Sequence, residues 1–127
     1  MAKTVNLIVK QGATYRFSLR LKNSDGSPFV LTGYNAVLQI RKQAGSEFSP
    51  IYCHIDTFLD SEYDQGGSIT INALEGSVAV EIDDIVTKEF RFRVGYFDLF
   101  LYKDDSPTLC PLDGKVLVKE SSTWMTF

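Results

Sequence analysis

Residues 11–42, QGATYRFSLRLKNSDGSPFVLTGYNAVLQIRK, hold the pattern that decides the fold. Tyr15, Phe17, Leu19 and Leu21 alternate with Arg16, Ser18, Arg20 and Lys22. A strand sends successive side chains to opposite faces, so this run has one apolar and one basic face and predicts a half-buried strand. Asp25-Gly26 supplies a tight turn because glycine accepts positive φ, and Pro28 keeps the chain from running straight into another central ladder. Past Thr32-Gly33 the two-residue rhythm returns. Tyr34, Ala36, Leu38 and Ile40 lie on one side and Asn35, Gln39 and Arg41 on the other, which predicts a second strand.

Outward from this pair the same reading gives a first strand over Val5 to Val9. Later strands follow over Ile51 to Phe58, Ser68 to Asn72, Ser77 to Ile82, Phe92 to Tyr102 and Lys115 to Lys119. Gly66-Gly67 and Glu75-Gly76 are corners around two strands expected to pair as a hairpin. Asp83 or Asp84 can cap a helical turn carrying Ile85, Val86 and Phe90, with Thr87 to Glu89 facing water. About eight short strands with no long 3.6-period segment predict an antiparallel sandwich or barrel. Phe92 to Tyr102 is apolar on both faces, so a neighbouring subunit or a long loop is expected to cover its outer side. Gly114 is read as opening the last strand.

The chain has 127 residues, 44% hydrophobic and 23% charged, which suits one soluble domain able to fold without staples. Residues 1–120 are assigned to that domain and 121–127 to a C-terminal tail. No apolar run reaches the roughly 18 residues of a membrane span, and the stretch before Lys10 is too short for a signal peptide's apolar region. A net charge of −3 offers no basic footprint for nucleic acid, and Arg16, Arg20 and Lys22 read as a solvated stripe. Cys53 and Cys110 lack the paired spacing of a zinc or redox site and are expected to be buried thiols.

Catalytic chemistry finds few partners. His54 is the sole histidine, and its neighbour Cys53 points to the opposite face of a strand, so His54 is read as a strand residue. Asp60, Glu62 and Asp64 precede Gly66 with alternate spacing, but the glycine is misplaced for a calcium loop and Ile71 stands where the last carboxylate belongs. A solvated acidic loop is the expectation. Asp83, Asp84 and Asp98 read as exposed corners, and Gly66-Gly67 lacks the lysine of a phosphate loop. No catalytic residue, metal or cofactor is assigned. Trp124, Met125 and Phe127 are large apolar groups near a chain end, expected either to fold back on this domain or to dock on another subunit.

The stretch over residues 11–42 resembles a pattern of small tailed-bacteriophage tail or baseplate proteins with immunoglobulin-like domains: a glycine-led strand, an Asp-Gly turn, and Leu31-Thr32-Gly33-Tyr34 opening a strand that ends Gln39-Ile40-Arg41. Gly76, Thr87, Phe97-Asp98-Leu99, Asp104-Asp105 and Gly114 to Val118 follow in the family's order at lower strength. Two departures stand out, the longer and more acidic middle from Gln43 to Gln65 and the Trp124 to Phe127 ending.

The resemblance implies an all-β, immunoglobulin-like sandwich with at most one helical turn near residues 84–90. It further implies a non-enzymatic virion subunit of the tail or baseplate, assembled in the host cytoplasm in multiple symmetric copies, binding other virion proteins and neither nucleic acid nor membrane. The interface residues expected on this reading are Val5, Leu7, Val9, Phe48, Tyr52, Tyr63, Trp124, Met125 and Phe127. A head-decoration or neck protein is the nearest alternative. A module binding host surface glycan, with Tyr52, Tyr63 and Tyr102 as first candidates, belongs to another class.

Overall fold

The computed structural model describes residues 3–45 and 48–123. Along the chain run β1 (Lys3–Lys10), β2 (Tyr15–Arg20), β3 (Asn35–Arg41), β4 (Ile51–Asp56), β5 (Gly67–Asn72), β6 (Ser77–Ile82), α1 (Asp84–Lys88), β7 (Val94–Tyr102) and β8 (Leu109–Lys119). One sheet has the order β1-β8-β7-β3-β4 and the other β2-β6-β5. Strands 2, 5 and 6 thus oppose strands 3, 7 and 8, the division found in immunoglobulin-type sandwiches. Every pairing is antiparallel except that of β1 with β8, which is parallel.

The alternation predicted for β2 and β3 is what closes the core. Ala36, Leu38 and Ile40 of β3 are fully buried, as are Leu99 and Leu101 of β7, and they face Val78, Val80 and Ile82 of β6 across the sandwich. Phe17 meets Phe97 edge to face between the sheets, with ring centroids 6.4 Å apart. Such aromatic pairs add roughly 0.5–1.5 kcal/mol beyond their buried area. No disulfide crosses the core: Cys53 and Cys110 are both free thiols. The β5–β6 hairpin forms as expected, from Gly67↔Ile82 to Asn72↔Ser77. In the β2–β3 connection Asp25 Oδ1 accepts the Ser27 N–H at 2.9 Å and Gly26 takes φ +89°, as the Asp-Gly signal requires.

Two expectations are corrected. β8 begins at Leu109 and runs through Pro111 and Gly114. Proline fits because the β7–β8 register shifts between Leu99 and Leu101, and an interrupted ladder tolerates a residue without an N–H. Gly114 is required by a contact distant in sequence. It sits at φ +148°, and a Cβ there would lie 1.7 Å from the Val5 carbonyl oxygen, so only glycine lets β1 lie alongside. Thr87 does not face water but is fully buried, and its hydroxyl donates to the Ala13 carbonyl at 2.8 Å. This bond ties α1 to the β1–β2 turn, while Ile85 of the same helix is left exposed.

Candidate functional site

β3, β4 and β7 place their even and odd residues on opposite faces, so the outer surface of the five-stranded sheet is set by the same alternation that fills the core. Register carries one polar residue from each strand into a row: Thr4↔Asp113, Asp113↔Asp98, Asp98↔Gln39 and Gln39↔His54. Thr4 Oγ1 donates to Asp113 Oδ1 at 2.8 Å. Burial pushes the half-buried Asp98 carboxyl above its ordinary value and Asp113 adds to this, while Arg41 opposes both. A dish of about 370 Å³ lies over this part of the sheet, lined by Gln39, Arg41, Tyr96, Asp98 and Phe100.

On one side of the polar row lies an apolar one, because Ile8 pairs with Leu117 and Leu117 with Val94. Ile8 is 54% exposed, Val94 42% and Phe100 38%. The outer side of the apolar strand β7 is therefore open in the isolated chain. Gln43, Ala44 and Gly45, at the start of the Gln43 to Gln65 excursion, help to wall the dish beside Tyr96 and Asp98, and at the β4 end Tyr63 stacks on His54 with centroids 4.0 Å apart.

At that end the hydrogen bonds have one consistent direction. Arginine can only donate, so the 2.9 Å bond from Arg41 Nε fixes the Gln39 amide with its oxygen toward Arg41. Gln39 Nε2 then donates to His54 Nδ1 at 2.9 Å, which leaves His54 Nε2 to donate to Asp56 Oδ2 at 2.6 Å. Ser61 Oγ donates to the same carboxylate oxygen at 2.5 Å. The His54 and Asp56 side chains are only 6% and 5% exposed. Burial raises the Asp56 carboxyl, but hydrogen bonds from Ser61 and His54, aided by Gln65, outweigh it, and the group lies below the usual carboxylate value.

Histidine, aspartate and serine thus meet, but not as a nucleophile and its base. Ser61 bonds to the carboxylate instead of the ring, and neither ring nitrogen has a lone pair to spare. The thiols are similarly quiet. Burial, with Asp83 nearby, pushes Cys53 up to about 12, and burial with Asp98 and Asp113 raises Cys110, so both stay protonated at neutral pH. Cys53 points into the core and His54 to the outer face, as their adjacency on a strand demands. Asp60, Glu62 and Asp64 are exposed, and no three His, Cys, Asp or Glu side chains among the described residues converge to hold an ion.

The expected interface residues divide. Leu7 and Val9 are buried in the domain's own core and Val5 packs against it, so the outward residues of β1 are Asn6 and Ile8. The alternation of β1 defines two faces but does not itself say which one the second sheet covers. Phe48 is exposed, and Tyr63 is half exposed above His54. Tyr52 is half-buried and stacks on Phe92 at 3.9 Å. Trp124, Met125 and Phe127 lie outside the described residues. The tyrosines proposed for glycan stacking are dispersed. Tyr102 lies opposite Asn35 at one end of β3 and Tyr52 beside Arg41 at the other, roughly 20 Å along a strand.

No protein-family model matches the chain, and no curated protein matches it.

Proposed function

We propose that this chain is a non-enzymatic structural component of a bacteriophage virion, a tail or baseplate subunit that binds other virion proteins through the outer face of its five-stranded sheet. The observation that carries the protein-binding reading is the exposure of Ile8, Val94, Phe100 and Tyr102 on strands whose backbone is fully organised. Apolar side chains beside a preorganised polar row suit a protein interface, where burial supplies free energy and hydrogen bonds fix orientation. The virion setting is supported by the resemblance of residues 11–42 to phage tail and baseplate domains. A head-decoration or neck position would use the same surface and the same physics.

The test is a double substitution, Ile8→Asp with Val94→Asp, in the phage genome. Both side chains point outward, so stability should change by no more than about 0.5 kcal/mol per site. The expected outcome is a folded protein missing from purified particles. Normal incorporation would remove the outer face from the interface, and absence of the labelled wild-type chain from particles would end the virion reading. Saturable binding of host polysaccharide by the isolated chain would instead favour a glycan module.

A further inference from the structure

A groove of about 630 Å³ separates the two sheets on the side away from β4. Val5 and Leu7 of β1 and Phe17 and Leu19 of β2 form its apolar walls. β1 is bonded only to β8 and β2 only to β6, so among the described residues both strands turn an unpaired edge toward this opening. Lys3, Arg20 and Lys22 also line it, and no carboxylate does. Arg20 stands 3.7 Å from Glu75 with both side chains more than half exposed, a weak tie, and neither Lys3 nor Lys22 has an acidic partner among the described residues. In a chain of net charge −3 this is a local concentration of positive charge beside apolar surface.

The complementary surface is on the same molecule. The β4–β5 connection presents Leu59, fully exposed, with Asp60, Glu62 and Asp64 around it. β1 and β4 are opposite margins of the five-stranded sheet, about 19 Å apart at four strand spacings. A loop on one margin cannot reach the groove on the other within one chain. We infer that the acidic 59–64 loop of one copy docks in the basic-rimmed groove of a second copy. Leu59 enters the apolar cleft, and the loop carboxylates meet Lys3, Arg20 and Lys22. Donor and acceptor surfaces are different patches, so the contact is heterologous, and each added copy leaves one groove and one loop free. Copies therefore add head to tail, into a ring or a row.

This inference rests on reading the chain as an assembly module and names one partner as the chain itself. Its test needs no virion. Sedimentation velocity of the purified protein from about 10 µM to 1 mM should show the average mass rising with concentration in low salt and falling back in high salt. Two variants separate the surfaces: Asp60→Lys with Glu62→Lys on the loop, and Lys3→Glu with Lys22→Glu at the groove. All four side chains are exposed, so unchanged thermal unfolding confirms the fold of each variant. Each variant alone should self-associate at least tenfold more weakly than the wild type. Their equimolar mixture should recover association, because every loop then finds a groove of opposite charge.

A wild-type chain that stays monomeric throughout, variants that associate like the wild type, or a mixture that does not recover would each overturn the inference. Self-association by a chain that is absent from particles would remove the virion reading and leave this contact standing.

Discussion

The two margins of the sandwich face one problem and meet it differently. A strand at the end of a sheet presents unpaired N–H and C=O groups that invite foreign pairing. At the β4 margin the chain closes over itself: the Gly66 N–H donates to the His54 carbonyl at 2.8 Å, and Gln65 Oε1 accepts the Asp56 N–H at 2.7 Å. Ser61 and Tyr63 complete the cover by bonding to Asp56 and stacking on His54. At the β1 and β2 margin no described segment crosses, and the guard consists of Lys3, Arg20 and Lys22. Closure demands a polar network in which every donor has an acceptor, whereas the open margin demands only charge and keeps its backbone available.

The largest way to break this comparison is Gly114→Val. The new Cβ would sit on the Val5 carbonyl at a backbone angle that side chains avoid, so β1 must leave β8 and the open margin widens. Backbone strain and overpacking together should cost about 3–5 kcal/mol, read as a fall in the urea midpoint. A loss below about 1 kcal/mol would show that β1 does not lie against β8 as described.

Asp56→Asn probes the closed margin. It weakens charge-assisted bonds from His54 and Ser61 and should cost about 1.5–3 kcal/mol at neutral pH. Because the folded Asp56 carboxyl lies below its unfolded value, its stabilisation is complete above the ordinary carboxylate pKa of about 3.9 and disappears as pH falls through the lower folded value. Wild-type and variant unfolding curves should therefore differ at neutral pH and converge in strong acid. A constant difference across that range would assign the loss to packing instead of charge.

The smallest effect sharpens the contrast. Thr87→Val removes the single bond from α1 to Ala13 at the root of the open margin and should cost about 1 kcal/mol in thermal unfolding. Amide exchange should then quicken around residues 11–14 and remain unchanged at His54 and Asp56.

Sequence pattern alone was sufficient for β2 and β3, since Phe17, Leu19, Leu38 and Ile40 keep a period of two and the Asp25-Gly26 turn announces itself. It failed where a residue answers to a distant partner. Pro111 and Gly114 look like breakers until the register shift opposite and the Val5 carbonyl are known. Thr87 looks solvated in a short amphipathic turn, yet its partner is Ala13, far away in the chain.

The outer face was half legible. Gln39 and Arg41, and His54 and Asp56, stand two apart and so share a face, but only cross-strand register brings Gln39 to His54. The role of Ser61 in holding Asp56 had no local signal at all. The open margin was hidden for a related reason: a parallel pairing between the first and last strands leaves no trace in alternation.

That parallel pairing also sets how the molecule bears load. Lys3 is aligned with Leu112 and Lys10 with Lys119, so tension applied between Lys3 and Lys119 pulls β1 and β8 along their length in opposite directions. The backbone bonds between them are then sheared together and cannot open one after another like a zipper. Force transmitted along the polypeptide meets its firmest resistance at this junction before it reaches the interior of either sheet.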